Sequence, residues 1–268
     1  MSKILHILII AVCHDSYSEL RTYLQSIDVA AQHAKDIQVD ILIADNSMQP
    51  ESIRKEDYPH CYVMQKQVDN LGYFGSARAA LNTIQTEDYT HMVISNVDLK
   101  METSFFTILE TLVIDKDVTC IAPSLVSCKE QQERNPEYAE RPTRKHLQLA
   151  RLLYIHPLIL SMYEHLVYQK RTPKQTPETT QTIFAPHGSF ILFIGNTTLP
   201  KILHDFTPFL YCEELYVGEI IRSRNERTIF EPRLKVYDYD HVTTSRMSNS
   251  FLCRCHREAL RWLVKHYK

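Results

Sequence analysis

Four clusters of polar residues and glycines follow apolar segments in the first half of this sequence. They are Cys13-His14-Asp15-Ser16, Asp45-Asn46-Ser47, Asp69-Asn70-Leu71-Gly72-Tyr73-Phe74-Gly75 and Asn96-Val97-Asp98. Carboxylates, amides and close-approach glycines can together hold a nucleotide and a hard divalent cation. Asp and Asn are also common in ordinary turns, where they hydrogen-bond the local backbone. Because turn chemistry explains four clusters in register less easily than one, we interpret them as a candidate site.

A second group of candidate residues lies in the C-terminal half. Glu213 and Glu214 follow the aromatic segment Phe209-Leu210-Tyr211, and the turn His187-Gly188-Ser189 precedes them. A carboxylate in a site can take the proton of an attacking hydroxyl group. Acidic residues are also favoured at the first turn of any helix by the helix dipole. The pair therefore indicates either a general base or a charged helix start.

The apolar segments before the first four clusters predict strands. Residues 4–12, 39–44, 62–65 and 91–95 are short apolar runs, and helical patterns separate most of them, including one over residues 76–84. This alternation predicts an α/β fold with a mostly parallel central sheet flanked by helices. Ligands bind beyond the carboxyl ends of strands in such sheets. The four clusters are therefore expected at one edge.

The rest of the chain is predicted to complete a single domain. Residues 128–182 form a polar and helical insertion, in which the apolar segment 147–168 is interrupted at His156-Pro157 and predicts two helices or a kinked one. Residues 183–245 form a second half with a late strand broken at Pro232, and residues 246–268 form a C-terminal helix. Residues 1–127 make up the first half.

Composition and charge exclude several classes of protein. The formal net charge is −2, so no global basic field is present to bind nucleic acid. No run approaches the roughly 18 apolar residues of a transmembrane helix. The seven cysteines lack zinc-finger spacing and are expected as reduced thiols. We therefore expect a cytoplasmic protein that does not bind nucleic acid.

The order of the motifs resembles the family 2 glycosyltransferases, especially their rhamnosyltransferase-like branch. The resemblance covers roughly residues 4–127 and 183–245. The matching segments are Ala44-Asp45-Asn46-Ser47, Asn70-Leu71-Gly72-Tyr73-Phe74-Gly75, Asn96-Val97-Asp98, His187-Gly188-Ser189, Glu213-Glu214 and His241-Val242-Thr243-Thr244-Ser245. It implies a GT-A (Rossmann-like) fold and an inverting transfer of a sugar from a nucleotide diphosphate. It also implies a setting in bacterial surface-polysaccharide synthesis.

The resemblance implies a role for each donor-side residue. A carboxylate at Asp15 or Asp45 would accept from the base or the ribose, and Arg78 would reach a phosphate or lie on a solvated helix face. Asn96 stands where the commoner motif has an acid and would hydrogen-bond the ribose or the sugar. The implied nucleotide-sugar-binding residues are Asp15, Asp45, Asn70, Gly72, Gly75, Arg78, Asn96 and Asp98.

The resemblance also implies a metal ion, a base and an acceptor subsite. Asp98 and His241 would hold Mn²⁺ or Mg²⁺, although a lone histidine is more often structural. The base would be Glu214, with Glu213 as the alternative; the family's usual pair is Glu-Asp. The turn His187-Gly188-Ser189 would contact the acceptor.

Several partners follow from the same resemblance. The donor would be a UDP or dTDP sugar, and the acceptor a glycan or a lipid-linked sugar. Arg254, Arg257, Arg261, Lys265 and Lys268 form a basic stripe on the C-terminal helix, which indicates either a solvated helix face or contact with anionic lipid at the inner face of the plasma membrane. The apolar segment 147–168 could serve the same contact, an acceptor lid or a homo-oligomer.

Two other functions stay open from the sequence. A nucleotidyltransferase would use the same strand-end pocket, but it usually has a glycine-rich loop after the first strand, and Cys13-His14-Asp15-Ser16 contains no glycine. A non-catalytic GT-A relative would bind a nucleotide sugar or a partner protein. Asn96 and the Glu213-Glu214 pair are the departures from the family pattern that favour this second alternative.

Overall fold

The computed structural model describes residues 4–166, 177–239 and 248–267. Within these ranges the strands are β1 Leu5–Cys13, β2 Ile37–Asp45, β3 Tyr62–Gln67, β4 His91–Ser95, β5 Leu99–Met101, β6 Val118–Ser127, β7 Gln181–Ile183, β8 Phe190–Ile194 and β9 Arg227–Asp238. The helices are α1 Tyr17–His33, α2 Tyr73–Leu81, α3 Phe105–Leu109, α4 Arg144–Leu153, α5 Pro157–Leu166, α6 Thr198–Asp205, α7 Glu213–Ser223 and α8 Asn249–His266. A short 3-10 helix, Lys55–Asp57, precedes β3.

All nine strands belong to one sheet, in the order β3-β2-β1-β4-β8-β6-β9-β5, with β7 paired to β9. β1 runs parallel to β2 and β4, and β2 runs parallel to β3. β8 is antiparallel to both β4 and β6, so the sheet is mixed beyond β4. The predicted α/β architecture with a helix-flanked central sheet is confirmed, with its parallel section concentrated in the first four strands along the chain.

The reversed direction of β8 places its start beside the end of β4. Phe190, the first residue of β8, is in register with Ser95, the last residue of β4. The turn before β8 therefore lies at the same edge as the polar segment after β4. Two stretches almost a hundred residues apart in sequence are brought together by this one antiparallel pair.

Helices cover both faces of the sheet, which explains why its central strands are apolar throughout. Alternate residues of β1 face opposite layers: Ile7 and Ile9 pack with α1 and α3, whereas Leu8 and Ile10 pack with α2, α6, α7 and α8. These four side chains are completely buried. The doubly covered sheet is the rigid support on which the strand-end loops are mounted.

Two predicted interruptions have different outcomes. The break at His156-Pro157 is confirmed, because α4 ends at Leu153 and α5 begins at Pro157. The predicted break of the late strand at Pro232 is wrong, because β9 continues through this residue. The strand instead has a bulge there, since its register against β6 shifts between Pro123 and Ser124. A bulge lets a strand accommodate a proline without losing its ladder.

The described part of the chain contains no helix that is both long and apolar enough to cross a membrane.

Candidate active site

A cavity of about 600 Å³ opens where β1, β2 and β4 end. A space of this size suits a small-molecule ligand. Its walls are formed by Val12, His14, Asn46, Asn70, Gly72, Tyr73, Asn96, Val97, Asp98, His187, Gly188, Ser189, Phe209, Leu210, Tyr211, Glu213, Glu214 and Leu252.

Nine residues predicted for the site lie on this wall. They are Asn70, Gly72, Asn96, Asp98, His187, Gly188, Ser189, Glu213 and Glu214. The backbone N–H of Asn96 donates to the carbonyl of Ser189 at 2.9 Å, and the Asn96 amide lies 3.3 Å from the Ser189 hydroxyl. These bonds fix the segment after β4 against the turn before β8, so the donor-side and acceptor-side motifs face one cavity.

Two predicted carboxylates do not reach the wall. Asp45 is fully buried, and its Oδ2 accepts from the Tyr17 hydroxyl at 2.7 Å and from the Gln65 amide at 2.8 Å. Asp15 accepts from the backbone N–H of Met48 at 3.0 Å. Both tie together the loops beneath the cavity. These bonds give Asp45 and Oδ1 of Asp15 a structural role, and the predicted contact of the two residues with base or ribose stays a prediction.

Gly75 and Arg78 also lie off the wall. The Arg78 Nη1 donates to the carbonyls of Leu203, His204 and Phe206 at 3.3–3.4 Å, which satisfies the end of α6. Gly75 is buried inside α2. Arg78 thus caps the end of α6, and its predicted contact with a phosphate stays a prediction. His241, the predicted second metal ligand, lies outside the described residues.

Gly72 joins the two halves of the site. Its φ of +80° with ψ of −175° is a conformation that only glycine adopts without strain. A Cβ at this position would lie 1.7 Å from the carbonyl oxygen of Phe209, which explains the need for glycine further. The loop carrying Phe209 therefore rests directly on the start of α2, and the aromatic segment before the acidic pair is held against the Asn70–Gly72 turn.

An unusual backbone aims the acidic pair into the cavity. Tyr211 and Cys212, the residues before α7, have φ values of +75° and +70°. Two successive non-glycine residues in this region are uncommon, and such strain concentrates at functional sites. The turn that they form lets α7 begin at Glu213, so both glutamates of the first helical turn line the cavity.

Burial makes both glutamates weaker acids than usual. Desolvation raises the pKa of Glu213, and the neighbouring Glu214 raises it further. Desolvation likewise raises the pKa of Glu214, with a contribution from the charge of Glu137, while the backbone N–H of Gly188 acts in the opposite direction. A carboxylate whose pKa lies above the ordinary value of about 4.3 is a stronger base near neutral pH.

Gly188 leaves room for the Glu214 carboxyl group. A Cβ built on Gly188 would lie 2.8 Å from Glu214 Oε1 and 3.3 Å from Cδ. The Gly188 carbonyl also accepts from the Tyr73 hydroxyl at 3.0 Å. The turn between His187 and Ser189 therefore supports the acid on one side and the wall residue Tyr73 on the other.

Sequence reasoning did not single out four of the polar and aromatic wall residues: His14, Asn46, Tyr73 and Tyr211. His14 Nδ1 lies 3.0 Å from the Asn46 carbonyl oxygen and 3.1 Å from its Oδ1, so this nitrogen carries the proton. Asn46 in turn donates to the Ser76 hydroxyl at 2.7 Å. Each of the four stands next to or inside a motif already noted, which is the signal that could have identified them.

An aromatic stack connects the wall to two distant helices. The His256 ring of α8 lies between Tyr211, at 3.3 Å between ring centroids, and Tyr154 at the end of α4, at 4.2 Å. Burial lowers the pKa of His256 to about 4, so the ring is neutral near pH 7. The insertion and the C-terminal helix thus both buttress the strained turn before the acidic pair.

The described residues fit a divalent cation only in part. No group of three His, Cys, Asp or Glu side chains in residues 4–166, 177–239 and 248–267 could hold a metal by itself. Mg²⁺, however, usually keeps several waters and binds through one or two carboxylates plus the phosphates of a substrate. Asp98, a hard oxygen donor on the wall, fits such a site.

Comparison with known proteins identifies the fold. No protein-family model and no curated protein sequence matches the chain. Residues 1–349 of S. aureus TarS in complex with UDP-GlcNAc match with a TM-score of 0.51 and 12% identity, over 93% of this chain and 64% of that one. GalNAc-T7 with UDP, GalNAc and Mn²⁺ matches with a TM-score of 0.54 and 11% identity, over 88% of this chain and 43% of that one. Both are GT-A glycosyltransferases.

The chain has a GT-A fold. It spans less than two thirds of the length of either solved structure. At 11–12% identity the similarity to these structures concerns the fold alone. The chemistry of the cavity must therefore be argued from the residues on its wall.

Proposed function

We propose that this GT-A protein is a glycosyltransferase that moves a sugar from a nucleotide diphosphate to a hydroxyl group, with inversion at the anomeric carbon. One observation carries the proposal: Asn70, Asn96 and Asp98 share a single cavity with the acid Glu214. Such a transfer requires hydrogen-bonding groups that hold the nucleotide in one part of the cavity. It also requires a base of raised pKa in another part.

The donor is proposed to lie along the strand ends. His14 and Asn46 reach the wall from β1 and β2, so we assign to them the nucleoside contacts predicted for Asp15 and Asp45. Asn70 and Gly72 offer a narrow backbone turn beside them. UDP-GlcNAc is bound in the TarS structure and UDP in the GalNAc-T7 structure, which supports a UDP or dTDP sugar as the donor here.

A divalent cation, Mn²⁺ or Mg²⁺, is proposed as the cofactor, held by Asp98. When bound, it would neutralise negative charge on the departing diphosphate. The Mn²⁺ in the GalNAc-T7 structure supports this choice. Asn96, which donates to the Ser189 hydroxyl on the adjoining wall, is proposed to hydrogen-bond the ribose or the sugar.

Glu214 is proposed as the general base. It takes the proton of the acceptor hydroxyl as that oxygen forms a bond to the anomeric carbon, and the bond to the diphosphate breaks in the same step. Displacement from the face opposite the leaving group inverts the configuration. Glu213 is the alternative base, and the turn His187-Gly188-Ser189 is assigned to the acceptor because it adjoins Glu214.

The finer assignments rest on the motif pattern of the sequence. We propose a hexosyl or rhamnosyl donor, a glycan or lipid-linked acceptor, and a place in bacterial surface-polysaccharide synthesis at the cytoplasmic side of the membrane. The order of the segments from Asp45 to Glu214 supports them.

The proposal is tested by the pH dependence of nucleoside diphosphate release. A panel of UDP and dTDP sugars is incubated with the protein, acceptor candidates and Mn²⁺. We expect release with one donor, falling at acidic pH as Glu214 becomes protonated. Because burial raises the pKa of this base, the acidic limb is expected above the ordinary glutamate value of about 4.3.

Glu137→Gln then tests which group titrates. Removing the Glu137 charge lowers the pKa of Glu214, so the acidic limb is expected to move to lower pH. Glu140→Gln, an exposed acid in the same loop, is the matched control and should leave the profile unchanged. The proposed function would be contradicted if no donor in the panel released a nucleoside diphosphate. The proposed base would be contradicted if the acidic limb of the pH profile were the same in Glu137→Gln and in the wild type.

A further inference from the structure

The two helices of the insertion expose a group of large apolar side chains to solvent. Six large apolar side chains of α4, α5 and the turn between them are exposed, with Leu149 at 64%, Leu158 at 67% and Met162 at 63%. We call this set the hairpin patch: Leu149, Leu152, Ile155, Leu158, Ile159 and Met162. Single exposed apolar residues are ordinary, but a contiguous group marks a contact surface.

The charge around the hairpin patch is mostly positive. Arg144, Lys145 and Arg151 lie on α4, and Glu164 is the one acidic residue of α4 and α5. The neighbouring helix α8 adds an exposed side with Arg254, Arg261 and Lys265, on which Glu258 is the one exposed acid. A basic border around exposed leucine, isoleucine and methionine side chains is typical of helices that lie in the headgroup region of an anionic bilayer.

Helix α8 is in direct contact with the insertion. The guanidinium of Arg257 donates to the carbonyl oxygen of Ile155 at 3.5 Å, in the turn that joins α4 and α5. The turn that carries part of the hairpin patch is therefore held against the helix that carries Arg254, Arg261 and Lys265.

We infer that the hairpin patch docks on a membrane surface rich in anionic lipid. The apolar side chains enter the boundary between headgroups and acyl chains, while the cations of α4 and α8 meet the lipid phosphates. A second copy of the chain fits less well, because a symmetric contact on this surface would bring the arginines and lysines of two protomers together, with Glu258 as the one exposed acid of each α8 to offset them.

The docking surface adjoins the cavity. Tyr154 directly precedes Ile155, and its ring stacks on His256, which stacks on the wall residue Tyr211. Leu252, in the first turn of α8, lines the cavity itself. Docking would hold the cavity beside the bilayer, where a lipid-linked acceptor is found; this last consequence rests on the proposed function, whereas docking itself does not.

Vesicle co-sedimentation of the full chain tests the inference. We expect binding to phosphatidylglycerol-containing vesicles, little binding to pure phosphatidylcholine, and weaker binding as salt is raised. The variant Leu149→Gln/Leu152→Gln/Leu158→Gln/Met162→Gln is expected to bind at least about tenfold more weakly, because its apolar anchors are lost. Arg144→Gln/Lys145→Gln/Arg151→Gln is expected to lose about a hundredfold on the anionic vesicles.

The matched control removes apolar side chains elsewhere on the surface. Ile4→Gln/Val113→Gln, which alters side chains that are 60% and 100% exposed, should keep wild-type binding. Folding of every variant is checked by thermal melting. The inference would be overturned if the wild-type protein did not bind anionic vesicles, or if the variant with the four apolar substitutions bound them as tightly as the wild type. A dimer that dissociates in the same variant without any vesicle binding would also overturn it. The readout needs no sugar donor, so it is independent of the proposed transfer.

Discussion

Glu214→Gln is expected to lower the rate of sugar transfer by about 10²–10⁴-fold, the usual contribution of a general base. The amide keeps the shape of the side chain but cannot accept a proton from the acceptor. Binding of the nucleotide diphosphate should be unchanged, because the donor contacts are proposed for other wall residues, Asn46, Asn70 and Asp98 among them. Transfer kinetics and the Kd for the nucleotide, measured on the same preparation, separate the two effects.

The same variant is expected to be more stable than the wild type at neutral and alkaline pH. Burial raises the pKa of Glu214 in the folded state, so the folded protein holds this proton more tightly than the unfolded chain does. The free energy of unfolding therefore falls as pH rises from the unfolded pKa through the folded one. Gln removes that loss, and the advantage in Tm should disappear at acidic pH, where Glu214 is protonated in both states.

Glu219→Gln is the matched control on the same helix. Glu219 is buried and is ion-paired with Arg141 at 2.9 Å and with Arg222 at 2.7 Å, so its replacement should lower the Tm. Substantial transfer by Glu214→Gln would exclude Glu214 as the base and move the role to Glu213. A lower Tm for Glu214→Gln at neutral pH would contradict the electrostatic description of the pair.

Gly188→Ala is expected to reduce transfer by about a hundredfold, the loss associated with a displacement of roughly 1 Å at a reacting group. The new Cβ would stand 2.8 Å from Glu214 Oε1, so the carboxyl group must move. The Gly188 φ lies outside the positive range that disfavours alanine, and the fold should tolerate the change. Transfer kinetics and a thermal melt check both parts.

A shortened acid should restore part of the lost rate. Glu214→Asp withdraws the carboxyl group by one methylene and leaves space for the alanine Cβ. The double variant Gly188→Ala/Glu214→Asp is therefore expected to be more active than Gly188→Ala alone. This would also explain why the chain combines Glu214 with a glycine at position 188. Purely additive losses in the double variant would show that the two residues do not share this space.

Much of the fold could be predicted because its signals are local. The buried runs that became β1, β2 and β4 are apolar throughout, which is typical of strands covered on both faces. The polar segments that follow β1 to β4 were expected at one edge of the sheet, and Asn70, after β3, and Asp98, after β4, lie on the wall of one cavity. Pro157, at the start of α5, likewise predicted the break between the two helices of the insertion.

The predicted site residues that do not line the cavity make contacts that no local pattern reveals. Arg78 donates to three carbonyls at the end of α6, more than a hundred residues later in the chain. Asp45 stands in a nucleotide-type motif, and its Oδ2 accepts from Tyr17 and Gln65. In both cases the tertiary hydrogen bonds come from residues distant in sequence, which the motif itself does not show.

The strained turn before α7 could not be predicted from the sequence either. Tyr211 and Cys212 are ordinary residues for a strand or a helix, and neither type predicts a positive φ. The turn is held from outside, by the packing of Phe209 on Gly72 and the stacking of His256 on Tyr211. Such support comes from segments far apart in sequence, so only the assembled structure shows how the acids are aimed.

The central claim, that the cavity binds a nucleotide diphosphate sugar, is tested most directly by thermal melting with UDP, dTDP, GDP and CMP, each with and without Mn²⁺. A ligand at a hundred times its Kd stabilises the folded state by about 2.7 kcal/mol. For a chain of this size that corresponds to a rise in Tm of about 5–10 °C. We expect such a rise with UDP or dTDP, larger when Mn²⁺ is present. Folded protein whose Tm responds to none of the four nucleotides would contradict the account.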